Sequence, residues 1–302
     1  MTDSHAGAVA VLANPAAGHG RHAGLLPAVL SRLGAAGRPV TVLTARTAVA
    51  AQAACHAAVD GGAGAVVAVG GDGTVHLALQ AVAGTGVPLG PVPAGTGNDF
   101  ARETGFPTDP LAAADTIAAA LRDGRDHPVD LARLAGVDGT TRWYGGVLAA
   151  GFDAIVNEKA NALRWPRGPR RYDLAIVLEL ARLRPRRYTL VLDGAVHELD
   201  AVLVAVGNCA SYGGGMRICP AADPTDGLLD VVVAGAIGRI TLVRVKPRIY
   251  AGTHVDHPAV HAYRAKTVEL HASGITAYAD GERTIDLPVT VEAVPAAVRL
   301  LR

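Results

Sequence analysis

Two short glycine-rich stretches, each carrying an aspartate, follow apolar runs of this chain. VAVGGDGTVH at residues 67–76 contains Asp72, and PAGTGNDFAR at residues 93–102 contains Asp99. Glycine lets backbone N–H groups approach phosphate oxygens, and a following helix N-terminus adds positive partial charge. A divalent cation explains an acid beside phosphates, so the pattern indicates magnesium on a nucleotide triphosphate. The alternative is a structural turn in which Asp72 or Thr74 caps the next helix.

A third glycine-rich loop, NPAAGHGR at residues 14–21, follows the first apolar run, GAVAVLA. That run and three others, PVTVL, AVVAV and PLGPVP, lack polar alternation and predict strands buried on both faces. Helical spacing over residues 22–34, 48–59 and 74–83 separates them. The alternation predicts a parallel sheet covered by helices, with all three loops converging at the carboxyl ends of the strands.

Composition places the chain among ordinary globular proteins. It has 302 residues, a formal net charge of +1 and 18% charged residues, which favours two domains and excludes bulk attraction to nucleic acid. The three cysteines, Cys55, Cys209 and Cys219, have no CxxC spacing and fit a reducing cytoplasm. No apolar run approaches the ~20 residues of a spanning helix, so any membrane contact is expected at the surface.

The strand–helix alternation ends after about residue 130. From there, β-rich segments are separated by Asp-Gly pairs at 138–139, 193–194, 226–227 and 280–281. Such pairs are hairpin signals because both residues tolerate positive φ. We therefore predict a nucleotide-binding α/β domain over residues 1–130. A β-rich substrate domain, a β-sandwich or a bent antiparallel sheet, is predicted over residues 131–302, with a helical insertion at residues 172–183.

Five ordered motifs resemble the diacylglycerol kinase catalytic-domain family of bacterial lipid kinases, which is related to sphingosine and ceramide kinases. They are GGDGT at 70–74, PAGTGNDFAR at 93–102, AAGFDA at 149–154, NCASYGGGMRICPAADPTDGLLDV at 208–231 and YADGE at 278–282. The resemblance implies an N-terminal open parallel-sheet α/β domain like those of NAD kinase and phosphofructokinase, followed by a C-terminal antiparallel β-sandwich. It also implies transfer of the γ-phosphoryl group of ATP to a lipid hydroxyl.

The resemblance also assigns site residues by motif position. ATP contacts are expected at Asn14, Gly18, Arg21, Thr44, Arg46, Gly71, Asp72, Gly73, Thr74, Thr96, Asn98 and Asp99, with Asp72 and Asp99 as Mg²⁺ ligands. Asp280 is expected as the base at the acceptor hydroxyl, with Asp72 as the alternative base, and Glu282 is expected on the metal or the hydroxyl. This hairpin should face Asp72 across a cleft. Asp223 and Asp226 match a segment that holds a structural magnesium in relatives. His76-Leu77 stands where relatives commonly have Asn-Glu.

Structural alternatives accompany the assignments in the second half of the chain. The ADGE turn is also an ordinary hairpin, and DPTDGLLD an Asp-capped turn without EF-hand spacing. NCASYGGG, at residues 208–215, is either a lip for a lipid headgroup or a glycine-rich bulge.

The most basic segment, residues 164–187, contains eight arginines against two acidic residues, with Trp165, Tyr172 and Tyr188 interleaved. A solvated basic face is one explanation, and contact with an anionic membrane is the one we favour.

The predicted function is an ATP- and Mg²⁺-dependent lipid kinase at the inner face of the membrane, without a nucleic-acid partner. The alternatives are a soluble kinase of the NAD kinase type and a catalytically weak lipid- or nucleotide-binding regulator on the same scaffold. The oligomeric state, a homodimer included, is left open.

Overall fold

The structure is a computed structural model that describes residues 7–13, 24–163, 165 and 170–302. Contacts divide the chain into two compact units. Unit 1 comprises Met1–Leu131 and Val294–Arg302, and unit 2 comprises Ala132–Ala293. The division predicted at residue 130 did not anticipate that the C-terminal segment returns to unit 1, since strand pairing with distant residues leaves no local pattern.

Unit 1 contains a parallel sheet with helical connections. Its elements are β1 Val9–Ala13, α1 Leu25–Gly34, β2 Val40–Leu43, α2 Ala48–Asp60, β3 Ala65–Gly70, α3 Asp72–Val82, β4 Leu89–Pro93, α4 Asp99–Glu103 and α5 Pro110–Asp123. The strand order is β2, β1, β3, β4, and Leu300 of the last strand pairs in parallel with Leu89. The carboxyl ends of these strands therefore share one edge.

Unit 1 follows from the local sequence. Every residue of β3 and β4 is buried, as their unbroken apolar runs predict. Thr47 caps α2 by accepting a bond from Ala50 N at 3.1 Å, and Asp109 caps α5 by accepting one from Ala112 N at 2.8 Å. The prediction of burial on both faces was wrong for β2, which is partly exposed because it lies at the edge of the sheet.

Unit 2 is built mainly from antiparallel strands. Its elements are β5 His127–Gly136, which begins in unit 1, then β6 Thr141–Tyr144, β7 Val147–Gly151, α6 Phe152–Ala162, α7 Arg170–Ala181, β8 Arg186–Leu192, β9 Ala195–Gly207, β10 Leu229–Gly235, α8 Arg239–Ala251, β11 Val260–Ala265, β12 Thr267–His271, β13 Thr276–Ala279, β14 Glu282–Asp286 and β15 Val289–Leu300, which ends in unit 1. β9 pairs with β8 along its first half and with β7 and β10 along its second.

The strands of unit 2 bury apolar side chains on both faces. In β10, Val231 and Val233 join one buried cluster while Val232 and Ala234 join another. This alternation is what a pleated strand covered on both sides requires. We name the second of these clusters the outer cluster; it consists of Val147, Val202, Leu203, Ala205, Ile218, Cys219, Val232, Ala234, Ile237 and Val260.

The Asp-Gly pairs behave differently from one another. Asp193-Gly194 and Asp280-Gly281 form two-residue hairpin turns with positive φ at both positions, 47° and 88° in the first and 53° and 82° in the second. Residues 138–139 lie in the longer β5–β6 turn. The hairpin interpretation was wrong for residues 226–227, which lie in the long connection between β9 and β10.

The predicted fold class, a parallel α/β unit followed by an antiparallel β unit, is confirmed. The predicted helical insertion is α7, whereas α6 and α8 were not predicted. None of the helices in the described ranges combines the length and apolarity needed to cross a bilayer.

Candidate functional site

The loops after β3 and β4 touch each other through glycine. Ala94 N donates to Gly70 O at 2.8 Å, and a Cβ atom built on Gly95 would lie 2.4 Å from the Cα of Gly71. A side chain at residue 95 would therefore overlap the neighbouring backbone. The predicted convergence is confirmed for these two loops.

Asp72 is the first residue of α3 and reaches across to the next helix start. Its Oδ1 accepts a hydrogen bond from Phe100 N at 3.3 Å. Phe100 lies in the first turn of α4, where helical N–H groups have no partner within their own helix. Thr74 is buried, and its hydroxyl lies so close to Gly70 that a Cβ atom there would come within 2.2 Å of it.

Asn98 fixes the loop after β4 from within. It has a left-handed φ of 57°, a conformation that asparagine tolerates better than most residues. Its Oδ1 accepts from Gly95 N at 2.9 Å, and its Nδ2 donates to Gly95 O at 3.0 Å. The loop between residues 95 and 98 is thereby closed, with Thr96 exposed at its tip.

Asp99 is engaged within α4. Its buried carboxylate forms an ion pair with Arg102, whose guanidinium also donates to Gly97 O at 3.5 Å. The metal role predicted for Asp99 would require this pair to rearrange.

The predicted nucleotide contacts fall into three groups. Gly71, Asp72, Gly73, Thr74, Thr96, Asn98 and Asp99 lie together in the two touching loops and the helix starts that follow them. Thr44 and Arg46 follow β2 at the same edge of the sheet and are exposed. Asn14, Gly18 and Arg21 lie outside the described residues.

Among the described residues, no three His, Cys, Asp or Glu side chains come together to hold a metal ion. Magnesium on a nucleotide does not need such a set, because it binds through one or two carboxylates plus phosphate oxygens and water. Asp72, at the start of a helix and beside glycine backbone, fits that mode of binding.

Asp280 is held by backbone amides of unit 2. Its Oδ1 accepts from Gly146 N at 2.8 Å and its Oδ2 from Gly145 N at 3.2 Å. The buried Asn208 supports this arrangement by donating from Nδ2 to Gly145 O at 2.8 Å. Sequence reasoning missed both glycines, although Gly-Gly directly after the apolar end of β6 was a visible signal.

Tyr144 and Glu282, both close to Asp280, differ in their exposure to solvent. Tyr144 is buried, and burial followed by the negative charge of Asp280 raises the pKa of its hydroxyl, which donates to Val206 O at 3.0 Å. Glu282 begins β14 and is exposed.

A further acid, Asp153, lies in the first turn of α6. Tyr212, from the glycine-rich segment 208–215, donates to its Oδ2 at 2.7 Å, and Ala154 N donates to its Oδ1 at 2.9 Å. Burial raises the pKa of Asp153 to about 6, although both hydrogen bonds act to lower it. The sequence indicated this motif through the family resemblance but did not assign Asp153 a role.

Acids of the segment predicted to hold a structural metal pair with an arginine of β11. Asp226 forms an ion pair with Arg264, which also contacts Asp230 at 3.2 Å. Asp223 accepts from the amide and the hydroxyl of Thr225. A metal role for Asp223 and Asp226 stays a prediction. A metal ion would compete with Arg264 for the carboxylate of Asp226.

The basic segment 164–187 is described in part. Trp165 is 77% exposed and Val177 63% exposed. Arg182 pairs with Glu179, and Arg187 with Glu198. Arg164 and Arg167 lie outside the described residues, and for Arg170 only the backbone is described.

Comparison with protein-family models gives two matches that together cover nearly all of the chain. Residues 8–134 match the diacylglycerol kinase catalytic domain. Residues 146–302 match the YegS C-terminal NAD kinase beta sandwich-like domain, which bears out the predicted sandwich.

Two curated relatives are similar over most of their length. A diacylglycerol kinase of Mycobacterium tuberculosis (strain ATCC 25618 / H37Rv) is 46% identical over 98% of this chain and 95% of its own. A protein of Stenotrophomonas maltophilia (strain K279a), described as "Probable lipid kinase YegS-like", is 31% identical over 80% of each chain.

Two solved structures share the fold. The crystal structure of a diacylglycerol kinase from Bacillus anthracis str. Sterne has a TM-score of 0.71 at 21% identity, covering 97% of this chain and 96% of its own. An NAD kinase from Archaeoglobus fulgidus in complex with ATP has a TM-score of 0.57 at 14% identity, covering 97% and 93%.

Proposed function

This chain belongs to the diacylglycerol kinase family, and we propose that it transfers the γ-phosphoryl group of ATP to a hydroxyl group of diacylglycerol or a related membrane lipid. The observation that carries this proposal is the contact between the two glycine loops, with Asp72 held at the start of α3 by Phe100 N. Both loops present backbone rather than side chains at one edge of the sheet, where open α/β sheets bind ligands.

The two loops would hold the triphosphate largely through backbone groups. Glycine at residues 71 and 95 lets the two loops pack against each other, and the N-terminus of α3 favours negative charge. Thr74, Thr96 and Asn98 would add side-chain contacts, as would Thr44 and Arg46 at the neighbouring strand end and Asn14, Gly18 and Arg21 from the first loop.

Asp72 is the residue best suited to a Mg²⁺ ion carried by ATP. When bound, the ion would neutralise phosphate charge as it develops during transfer. Asp99 would join it only if its ion pair with Arg102 opened.

Asp280 would orient the acceptor hydroxyl and take its proton. A base must lie within hydrogen-bonding distance of that proton, and the amides of Gly145 and Gly146 fix the carboxylate in one orientation. Carboxylate oxygens accept more than one hydrogen bond each, so this anchoring is compatible with a hydroxyl ligand. Glu282, exposed beside it, would contact the hydroxyl or the metal.

A lipid acceptor brings the protein to a membrane surface, and we assign that contact to residues 164–187, at the inner face of the cytoplasmic membrane. Exposed Trp165 and Tyr172 beside arginines are the chemistry of interfacial binding. Each basic side chain near anionic lipid contributes roughly 1 kcal/mol.

The experiment is a phosphotransfer assay with labelled ATP, Mg²⁺ and diacylglycerol in phospholipid vesicles. Wild type should label diacylglycerol, and Asp72→Asn should lower kcat/KM at least about a hundredfold. Asp60→Asn, at an exposed acid in the last turn of α2, is the matched control and should retain wild-type rates.

Three outcomes would contradict the proposal. Equal rates for wild type and Asp72→Asn would remove the assigned role of Asp72. Labelling of NAD with none of any lipid would establish an NAD kinase-type activity. ATP binding without turnover on a broad panel of lipids would identify a regulator on the kinase scaffold.

A further inference from the structure

Helix α8 carries apolar side chains on two opposite sides. Leu242 and Ile249 pack against the outer cluster, and Val245, between them on the same side, is buried. Ile240 and Val243, in contrast, are 69% and 54% exposed. The exposed Pro247 and Tyr250 continue the same side, because steps of three and four residues return to one face of an α-helix. We name this side the outer stripe: Ile240, Val243, Pro247 and Tyr250.

Basic residues border the outer stripe on both sides. At about 100° per residue, Arg239 and Lys246 fall on one flank and Arg244 and Arg248 on the other. The helix contains no acidic residue, in a chain whose formal net charge is only +1. Within the described part of the chain, no carboxylate lies within 4.0 Å of Arg239, Arg244 or Lys246. Arg248 forms an ion pair with Asp256 at 3.8 Å and donates to Thr253 O at 2.5 Å.

We propose that the outer stripe of α8 and its basic flanks form a second docking face for an anionic lipid surface. Soluble proteins seldom leave a run of large apolar side chains in water on a helix whose other side already fills the core. An apolar stripe between two rows of cations is the pattern of a helix lying in a membrane interface. The absence of acids on this helix matches a negatively charged partner.

The position of α8 in unit 2 supports this partner. Leu183, within the basic segment 164–187, packs against the same outer cluster as Leu242 of α8. The two segments therefore lie on the same side of the unit 2 sheet, so that α8 would extend the surface that we assign to the membrane. Tyr212, from the glycine-rich segment 208–215, packs there as well.

The test measures binding of full-length protein to vesicles of phosphatidylcholine with and without phosphatidylglycerol, in the absence of ATP and diacylglycerol. Wild type should bind preferentially to vesicles that contain phosphatidylglycerol. Because each cation contributes roughly fivefold, the triple variant R239Q/R244Q/K246Q should bind about a hundredfold more weakly. The variant I240Q/V243Q should lose at least about tenfold, through the apolar contact that it removes.

Matched controls carry the same changes elsewhere on the surface. R38Q/R122Q/R142Q removes three cations, and V49Q/V137Q replaces two exposed valines. Both should bind as wild type does. Thermal unfolding of every variant should match wild type, because the altered side chains of α8 are exposed and make no contribution to the core.

Three results would overturn the inference. The first is absence of binding by wild type, and the second is equal binding by the α8 and control variants. The third is a wild-type dimer in sedimentation that I240Q/V243Q converts to monomer, which would make a second copy the occupant.

This inference goes beyond the proposed reaction and can survive its failure. If vesicle binding depends on α8 but no lipid is phosphorylated, the docking face stands and the kinase proposal falls. If both hold, the α8 variants should phosphorylate a water-soluble short-chain diacylglycerol at wild-type rates. They should phosphorylate long-chain diacylglycerol in anionic vesicles more slowly.

Discussion

The two tight Asp-Gly hairpins of unit 2 adopt one local structure. Asp193, between β8 and β9, accepts backbone hydrogen bonds from Lys266 and Thr267 at 2.8–3.2 Å. Asp280, between β13 and β14, accepts them from Gly145 and Gly146 at 2.8 and 3.2 Å. In both turns the aspartate and the glycine have positive φ.

The difference between the hairpins lies in their surroundings. Asp193 is exposed, whereas Asp280 is half-buried beside Tyr144 and two buried glycines. Amide anchoring is thus a way to complete a hairpin and does not by itself mark a catalytic acid. Two features set Asp280 apart. A Cβ atom at Gly146 would lie 2.8 Å from its Oδ1, so the carboxylate needs glycine beside it, and the residue belongs to the family motif.

The largest predicted effect is a difference in phosphotransfer activity between variants of Asp280 and Asp193. Asp280→Asn should lower kcat by about 10²- to 10⁴-fold, the range for loss of a general base. Asp193→Asn should leave kcat unchanged. The measurement is phosphotransfer to diacylglycerol under saturating ATP.

Denaturant unfolding of both variants separates a loss of catalysis from a loss of hairpin structure. In each variant an amide NH₂ replaces one carboxylate oxygen that accepts a backbone bond, so both should unfold at lower denaturant concentration than wild type. A loss of activity in Asp193→Asn as large as that in Asp280→Asn would reduce the role of Asp280 to hairpin structure.

The next effect concerns the glycines, where the two hairpins should behave alike. Nothing lies within 4 Å of a Cβ atom at Gly194 or Gly281, so an alanine there meets only the cost of its left-handed φ. Gly194→Ala and Gly281→Ala should each lose about 1–2 kcal/mol of unfolding free energy, measured by urea denaturation. A loss at one site twice that at the other would mean that surroundings, rather than φ, set the cost.

The smallest effect comes from Asp153, a third anchored acid of unit 2. Its pKa is about 6 in the folded protein against 3.8 as the ordinary value, with burial as the main cause. The folded state therefore holds this proton more tightly than the unfolded state. Its contribution to stability is complete below about pH 4 and is lost as pH rises to about 6.

The measurement is the unfolding free energy of wild type and Asp153→Asn at about pH 4 and pH 7. Between these two pH values, the unfolding free energy of wild type should fall by roughly 1 kcal/mol relative to that of the variant. This value is smaller than the full pKa shift implies, because Asp153 is only half-buried and solvent screens its charge. A constant difference would show that folding does not raise the pKa of Asp153.

Much of the candidate site in unit 1 was predictable because its signals are local. Glycine clusters directly after buried strands fix the positions of the loops in the chain, and parallel strands bring their carboxyl ends to one edge. The contact between Gly71 and Gly95 follows from that geometry. The ion pair of Asp99 with Arg102 was not predicted, although the spacing of three residues made it possible.

In unit 2 the unpredicted features depend on residues distant in sequence. Asp226 contacts Arg264, Asp153 contacts Tyr212, and Asp280 contacts Gly145. Each contact joins residues far apart in the chain, which no spacing rule predicts. Helix α8 escaped prediction because apolar residues on two sides blur the single periodic stripe by which amphipathic helices are recognised.

The sequence by itself determined the alternation of β1–β4 with α1–α3, the glycine loops, the tight hairpin turns at residues 193–194 and 280–281 and the family. Each of these rests on short-range periodicity, backbone φ or ordered motifs. Only the tertiary structure decided which carboxylates are held by amides, which are paired with arginine, and which side of α8 faces solvent. Those outcomes depend on burial and on pairing between distant strands, and both arise only when the chain has folded.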